Sequence, residues 1–414
     1  MKCGLLGRTL KHSYSPLIHG KLGDYSYELF EKEPEELEDF LKNGGFHGLN
    51  VTIPYKKDVV PYCAELSPLA QELGSVNTLL RRPDGSLYGD NTDAWGFAQM
   101  AKALPVDYRG KKALVLGSGG ASVTAQAVLK HLGCQVVVIS RHGEDNYENI
   151  HRHTDAQVLV NATPVGTYPQ VGVRPVDLDR LPNLEAVLDL VYNPAKTALI
   201  LDAEARKIPF SNGLPMLVGQ AARSSMIWTG ENLSTSLVHH VYNFVKGSME
   251  NLILIGMPGC GKSTIGQKLA QRLNRSFVDT DVDIVDKVGN IPAYFVKFGE
   301  SQFRLVETEV LARVCKESGR VIATGGGCVT REENYNLLHQ NGTIIWIQRP
   351  LEELSSEGRP LSQRDGVEAL YQQRKGLYER FADVIVENRG DVEDVVEGIL
   401  HAVFSSPLSQ GTRG

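Results

Sequence analysis

The chain has 414 residues, of which 42% are hydrophobic and 22% charged, and its net charge is −6. That length exceeds one ordinary core and implies two or three domains. The acidic balance argues against a general nucleic-acid surface, and no apolar run reaches the ~18 residues that a membrane span needs. Residues 2–6, 25–30 and 47–53 read as strands, and 33–43 and 92–104 as helices. A fresh βαβ pattern begins at Lys112. Ala113–Leu116 is a buried-type strand, Val128, Leu129 and Leu132 form a helical stripe within residues 120–132, and Gly133 is a stop signal. Strands follow at 135–140, 157–161 and 186–190, then helices at 215–228 and 233–246. A joint is expected at Lys246-Gly247-Ser248-Met249, after which Leu252–Ile255 opens a new strand. Residues 405–414 are polar with Pro and Gly and are expected to be disordered. The alternation of strand and helix predicts an α/β protein with parallel sheets. Met1–Gly7 has no long apolar core, so no leader is expected. The six cysteines are scattered without a CxxC pair and read as reduced thiols of a cytoplasmic protein.

Two glycine loops each follow a strand and open a helix, the setting in which backbone N–H groups face a phosphate. The first is Gly117-Ser118-Gly119-Gly120-Ala121-Ser122. It has no Lys and suits a dinucleotide pyrophosphate. The next strand ends in Ser140-Arg141-His142, where a basic residue rather than an acidic one suits the extra phosphate of NADP. Glu144 and Asp145 follow and dilute that positive field. Before this loop lie Ser13-Tyr14-Ser15-Pro16, read as an extended pair of hydroxyls for a carboxylate, and Asn50-Val51-Thr52-Ile53-Pro54-Tyr55-Lys56-Lys57. Ser75-Val76-Asn77-Thr78, Gly89-Asp90-Asn91-Thr92-Asp93 and, later, Gly213 to Gln220 add amides and a carboxylate. A polyhydroxylated acid calls for this inventory: a carboxylate clamp, amides for hydroxyls and a Lys–Asp pair for proton transfer.

On SYSP, NVTIPYKK, GSVNT, GDNTD, GSGGAS, VNATPVG and NGLPMLVGQ, residues 1–245 resemble shikimate dehydrogenase. The resemblance implies a substrate domain (1–104, with return helices 215–246) and a Rossmann-like NADP domain (105–214), with reduction of 3-dehydroshikimate to shikimate between them. It implies that Ser13 and Ser15 hold the carboxylate, that Thr52, Asn77, Asp93 and Gln220 hold hydroxyls, and that Lys56, paired with Asp93, assists proton transfer. Tyr192 and Met216 would sit near substrate and nicotinamide, and Thr163 along the cofactor. Gly117, Ser118, Gly119, Gly120, Ala121, Ser140 and Arg141 would complete the NADP(H) site. Ser140-Arg141-His142 departs from the family's usual Asn-Arg-Thr.

The second loop, Gly256-Met257-Pro258-Gly259-Cys260-Gly261-Lys262-Ser263, is a full P-loop. Lys262 suits the β/γ-phosphates of ATP, and Ser263 suits Mg2+. Asp279-Thr280-Asp281 ends the next strand, where Asp279 could orient a magnesium water and Asp281 accept a hydroxyl proton. Gly299 to Arg304 opens a helix, with Arg304 and Glu307 spaced as a surface ion pair would be. Gly325-Gly326-Gly327 lets backbone approach a ligand, and Arg359 and Arg374 add guanidinium forks. On GMPGCGKST, DTD, GESQFR, GGG and RPL this segment (247–404) resembles shikimate kinase, a small P-loop fold like that of nucleoside-monophosphate kinases. The resemblance implies that Asp281, Arg304, Gly326 and Arg374 contact shikimate. Gly259, Gly261, Lys262, Ser263, Thr264 and Arg359 would bind ATP, with Ser263 and Asp279 at the metal and a lid closing through Arg359. The partners implied are small molecules, with no nucleic acid and no membrane. Two rival readings stay open: a quinate dehydrogenase fused to a different small-molecule kinase, and a sensor or regulatory protein that keeps both folds but binds ligands without turnover.

Overall fold

Among the described residues the strands form three sheets. The computed structural model describes residues 1–10, 13–354 and 366–404. The chain divides into two compact units: residues 1–167, 172–192 and 197–245, and residues from 246 on together with 168–171 and 193–196.

The first unit holds two sheets. In chain order its first half runs β1 (Lys2–Gly7), α1 (Ser15–Leu22), β2 (Ser26–Glu31), α2 (Leu37–Asn43), β3 (Gly48–Val51), β4 (Glu65–Leu66), α3 (Pro68–Leu73), β5 (Thr78–Arg81), β6 (Leu87–Asp90) and α4 (Thr92–Lys102). The sheet order is β2-β1-β3-β5-β6-β4. β1 pairs in parallel with β2 and β3, whereas β3/β5 and β5/β6 are antiparallel. This sheet is therefore mixed rather than parallel as expected. Two expectations fail locally. Residues 33–43 are not one helix but a 3-10 turn at Pro34–Glu36 followed by α2. Ser13–Pro16 is not extended: Ser15 opens α1, with Pro16 in its first turn, where the missing N–H has no intrahelical partner to lose.

The second half runs β7 (Lys112–Leu116), α5 (Gly120–His131), β8 (Gln135–Ile139), β9 (Val158–Asn161), β10 (Ala186–Asp189), α6 (Ala198–Ala205), β11 (Phe210–Ser211) and α7 (Leu214–Thr229). Its sheet, β11-β10-β9-β7-β8, is all parallel. The strand order reverses direction between β7 and β9, and open parallel sheets bind ligands beyond the carboxyl ends of the strands at such a point. α7 returns to pack on α4 through small residues. A Cβ added at Gly219 would meet Gly96 Cα at 3.2 Å, so the two backbones cross closely.

α8 (Thr235–Met249) spans the division between the units, so the expected joint at Gly247-Ser248 lies inside a helix. The Arg275 guanidinium accounts for part of this. It donates to the carbonyls of Gly247 and Glu250, satisfying groups that a helix end leaves unpaired.

The second unit continues with β12 (Asn251–Ile255), α9 (Lys262–Leu273), β13 (Phe277–Asp279), α10 (Thr280–Val288), α11 (Ile291–Val314, kinked at Gly299), β14 (Val321–Ala323), α12 (Glu333–His339), β15 (Gly342–Gln348), α13 (Val367–Phe381), β16 (Val384–Glu387) and α14 (Val392–Phe404). Its parallel sheet, β13-β14-β12-β15-β16, is built on runs such as Leu252–Ile255 that are buried throughout, as strands covered on both faces must be. Among the described residues no helix is long and apolar enough to cross a membrane. The six cysteines are all free thiols.

Candidate functional site

In the first unit the Lys–Asp pair forms. Lys56, in the turn after β3, places Nζ 2.5 Å from Oδ2 of Asp93 in the first turn of α4. Both side chains keep part of their surface in contact with solvent. Asn77 stands beside them in a fixed orientation. Its Oδ1 accepts from the Thr92 backbone N–H at 2.7 Å and from the hydroxyls of Thr92 and Thr78 at 3.1 Å. The oxygen is thus fully used, and the amide nitrogen is the edge available as a donor.

Behind Asn77 lies a buried network that sequence reasoning missed. Ser224 of α7 donates to Gln220 O at 2.9 Å and contacts Asn50 Nδ2 and Thr78 Oγ1 at 2.8 Å and Thr92 Oγ1 at 3.1 Å. Tyr27 OH donates to Asn50 Oδ1 at 2.8 Å, which fixes that amide as well. Hydroxyl-rich sequence is common on surfaces, so only the convergence of β3, β5, α4 and α7 exposes this hub. Gln220 itself donates through Nε2 to Leu217 O and lies against Gly96. The Thr52 methyl packs near Gly7. Ser13 Oγ accepts from the Ser15 N–H at 3.2 Å, so the two serines meet at the start of α1. Tyr14 between them makes an edge-to-face contact with Tyr192, centroids 6.1 Å apart, joining the two halves of this unit. Burial pushes the Tyr192 hydroxyl above its ordinary range.

The first glycine loop sits at the strand reversal. Gly117 adopts φ 100°, open to glycine at little cost, and a Cβ there would meet the Thr163 methyl at 2.9 Å. Ser122 Oγ donates to Gly117 O at 2.6 Å and braces the turn, while a Cβ at Gly119 or Gly120 would meet nothing within 4 Å. Ser118 and Ala121 complete this loop, and Met216, in the first turn of α7, is half-buried against the core beneath it. Open backbone at the N-terminus of α5 fits a pyrophosphate. Ser140 N–H donates to Asp145 O, and Arg141 is exposed. The Asp145 carboxylate, expected to dilute the positive field, is turned to His153 Nε2 at 2.8 Å.

In the second unit, Gly256, Gly259 and Gly261 all have positive φ, which gives the P-loop its curl. Lys262 Nζ donates to the carbonyls of Gly256 and Met257 at 2.9 and 3.0 Å, and Ser263 Oγ donates to Asp279 Oδ2 at 2.5 Å. Ser263 and Thr264 are exposed at the head of α9. A hydroxyl and a carboxylate in contact at the P-loop fit a hard cation that also takes phosphate and water ligands. Cys260 is buried under the loop, as a small filler would be.

Arg304 and Glu307 are not a surface pair. Their side chains are 8% and 1% exposed, joined by Nη1 to Oε2 at 2.8 Å. Burial disfavours the Arg304 charge, yet Glu307 and Glu300 hold the guanidinium above its ordinary range. Burial also raises the carboxyls of Asp281 and Glu307, against the pull of the nearby cations. The spacing i,i+3 is the same in a buried pair and an exposed one, so the sequence held no signal for this. The glycine triplet explains itself by crowding. A Cβ at Gly325 would meet Glu307 Oε1 at 2.6 Å and Asp281 Oδ1 at 2.9 Å; at Gly326, Pro258 at 2.6 Å; and at Gly327, the Arg304 guanidinium. Gly326 O accepts from Arg374 Nη1 at 3.1 Å and from Tyr378 OH. Asp281, Arg304, Gly326 and Arg374 are therefore neighbours through this one segment. Arg359 and residues 405–414 lie outside the described residues.

Comparison with known proteins agrees with both halves. Residues 5–79 match the family model "Shikimate dehydrogenase substrate binding domain", and residues 258–404 match "Shikimate kinase". A shikimate dehydrogenase (NADP(+)) of Caldanaerobacter subterraneus is 35% identical over 274 residues, covering 59% of this chain and 96% of the relative. One from Clostridium beijerinckii is 34% identical, covering 60% and 98%. Among solved structures, a chorismate mutase/shikimate 5-dehydrogenase fusion from Clostridium acetobutylicum aligns with TM-score 0.57 and 33% identity over 59% of this chain and 97% of that one. The Thermus thermophilus shikimate 5-dehydrogenase in complex with NADP(H) and shikimate aligns with TM-score 0.53 and 32% identity over 59% and 99%. The chain belongs to the shikimate dehydrogenase family and carries a shikimate kinase domain behind that region.

Proposed function

We propose that the chain is a bifunctional enzyme of the shikimate pathway. Its first unit reduces 3-dehydroshikimate to shikimate with NADPH, and its second phosphorylates the 3-hydroxyl of shikimate with MgATP. The observation that carries this reading is the presence in one chain of two polar sets, one in each unit: Lys56–Asp93 with Asn77 in the unit that holds the first glycine loop, and Lys262, Asp281, Arg304 and Arg374 in the unit that holds the P-loop.

In the first reaction a bound nicotinamide would supply the hydride. Lys56, held by Asp93, stabilises the oxygen on which negative charge develops and delivers a proton to it. Asn77 donates its amide N–H to a substrate oxygen, because its carbonyl is already committed. Ser13 and Ser15, at the head of α1, hold the carboxylate. Arg141 stands exposed at the end of β8, where a 2′-phosphate would be met, and the withdrawal of Asp145 to His153 favours that use. In the second reaction Arg304 and Arg374 hold the substrate, and Asp281 takes the hydroxyl proton. Lys262 would neutralise the nucleotide's phosphates, and Ser263 with Asp279 would hold the Mg2+. The domain limits 1–104, 105–214 and 247–404 form part of this proposal, and the free thiols support a cytoplasmic setting.

A coupled assay of the purified chain tests it. With 3-dehydroshikimate, NADPH and MgATP, the expected product is shikimate 3-phosphate. Absence of NADPH oxidation removes the first half of the reading, and shikimate accumulating without phosphorylation removes the second. Supplying quinate in the reverse direction separates the alternative first substrate.

A further inference from the structure

The carboxyl end of β10 carries a charge with no solvent contact. Asp189 is 0% exposed at the close of the strand Ala186–Asp189. Its Oδ1 accepts from Asn161 Nδ2 at 2.9 Å and from the Val191 N–H at 3.1 Å, and its Oδ2 accepts from Thr197 Oγ1 at 2.6 Å. The three donors belong to three segments. Asn161 ends β9, and its own Oδ1 accepts from Thr163 N at 3.1 Å and Thr163 Oγ1 at 2.6 Å. Its amide can therefore face only one way, with the nitrogen toward Asp189 and the oxygen toward the turn whose Thr163 methyl borders Gly117. Val191 precedes Tyr192, the ring that meets Tyr14. Thr197 caps α6, accepting from the Ile200 N–H.

Burying a carboxylate is costly, and here burial raises its pKa to about 6 despite three donors. An apolar residue would close this strand without that cost. What a carboxylate adds is two oxygens that only accept, so three donors can be gathered at one point. Two of those donors lead to the turn that borders the first glycine loop and to the segment whose Tyr192 meets Tyr14.

We propose that Asp189 is a positioning residue of the dehydrogenase site, fixing the Thr163 turn through Asn161 and the Tyr192 segment through Val191. The proposal rests on the reading of this unit as an NADP-dependent dehydrogenase. The test uses the full chain and measures NADP+ affinity by calorimetric titration, alongside dehydrogenase kcat and kinase activity. If wild-type protein binds no NADP+, the reading itself fails before any variant is compared. Given wild-type binding, Asp189→Ala is expected to weaken NADP+ affinity and lower kcat, each by roughly tenfold or more, since small displacements of positioned groups cost this much. Asp189→Asn keeps an acceptor for Asn161 and Val191 and is expected to stay within about threefold of wild type, the loss of one shared bond. Circular dichroism and the melting transition of the first unit report that the variants are folded, and kinase activity is the control for the second unit. Should Asp189→Ala fail to fold, Asn161→Ala cuts the link to Thr163 alone and is expected to lower NADP+ affinity with the fold intact. Unchanged NADP+ affinity and kcat in Asp189→Ala, with only a lower melting temperature, overturns the proposal, as does unchanged affinity in Asn161→Ala.

Discussion

Lys56 Nζ and Asp93 Oδ2 stand 2.5 Å apart, although 37 positions separate them in the chain. β3 delivers the lysine and the head of α4 the carboxylate, so the pair exists only when the mixed sheet is complete. Replacing Lys56 by Ala is expected to lower dehydrogenase turnover by about 10²–10⁴-fold, the usual worth of a positioned acid. The substrate KM is expected to change little. Steady-state kinetics on the purified variant checks this, and wild-type turnover would remove Lys56 from the mechanism.

Ser224 touches no cleft surface, yet it joins Asn50, Thr78 and Thr92 to the carbonyl of Gln220. Ser224→Ala leaves buried donors and acceptors short of partners, at a cost of about 1–3 kcal/mol in stability. Because Thr78 and Thr92 orient Asn77, the shikimate KM of the dehydrogenase is expected to rise, with the NADP+ KM unmoved. Urea unfolding and the two KM values together decide it. A stability loss with both KM values unchanged would show that the network only holds the core.

On the proposed reading Arg304 has a second part besides its ion pair with Glu307, and its removal tests both. Losing a charge-assisted contact to the substrate is worth about 1.5–3 kcal/mol, roughly a 10–150-fold rise in the kinase's shikimate KM. Arg304→Ala also strands Glu307 as a buried lone charge, a further cost of about 3–5 kcal/mol in stability. The double variant Arg304→Ala with Glu307→Gln is therefore expected to recover stability but not affinity. Recovery of both would place Arg304 outside the substrate site.

His19 gives an acid dependence. It is fully buried, with Nδ1 2.8 Å from Tyr25 OH and its ring stacked on Tyr27. Burial pushes its imidazole from 6.5 down to about 3. The folded state thus binds this proton more weakly than the unfolded chain. The stabilising contribution is complete above pH 6.5 and is lost as pH falls toward 3. At ~1.4 kcal/mol per pH unit its limit is on the order of 4–5 kcal/mol. Denaturation midpoints of wild type and His19→Gln between pH 7 and 4 are expected to converge as the pH drops. A constant gap between them would contradict the assignment.

The features legible in the sequence were those with a local cause. Both glycine loops followed from strand, turn and helix in immediate succession, and Gly117 and Gly261 indeed take φ values of 100° and 97°. Features set by distant neighbours were not legible. Ser15 reads as extended until Pro16 is recognised as a first-turn helix residue. The antiparallel strands β5 and β6 have four residues each, too few for a periodic signal. Asp189 did leave a trace, as the one charged residue closing an otherwise apolar strand. Glu307 left none, because its burial is decided by β14 and its glycines.

Those glycines have a consequence for how the kinase pocket can change. Side chains of Asp281, Glu307, Arg304 and Pro258 occupy the room that a methyl at positions 325, 326 or 327 would need. This stretch is consequently drawn by main chain alone, and a side chain added there must displace a charged group or Pro258. Along this stretch, substrate range is held fixed by steric exclusion rather than by attraction.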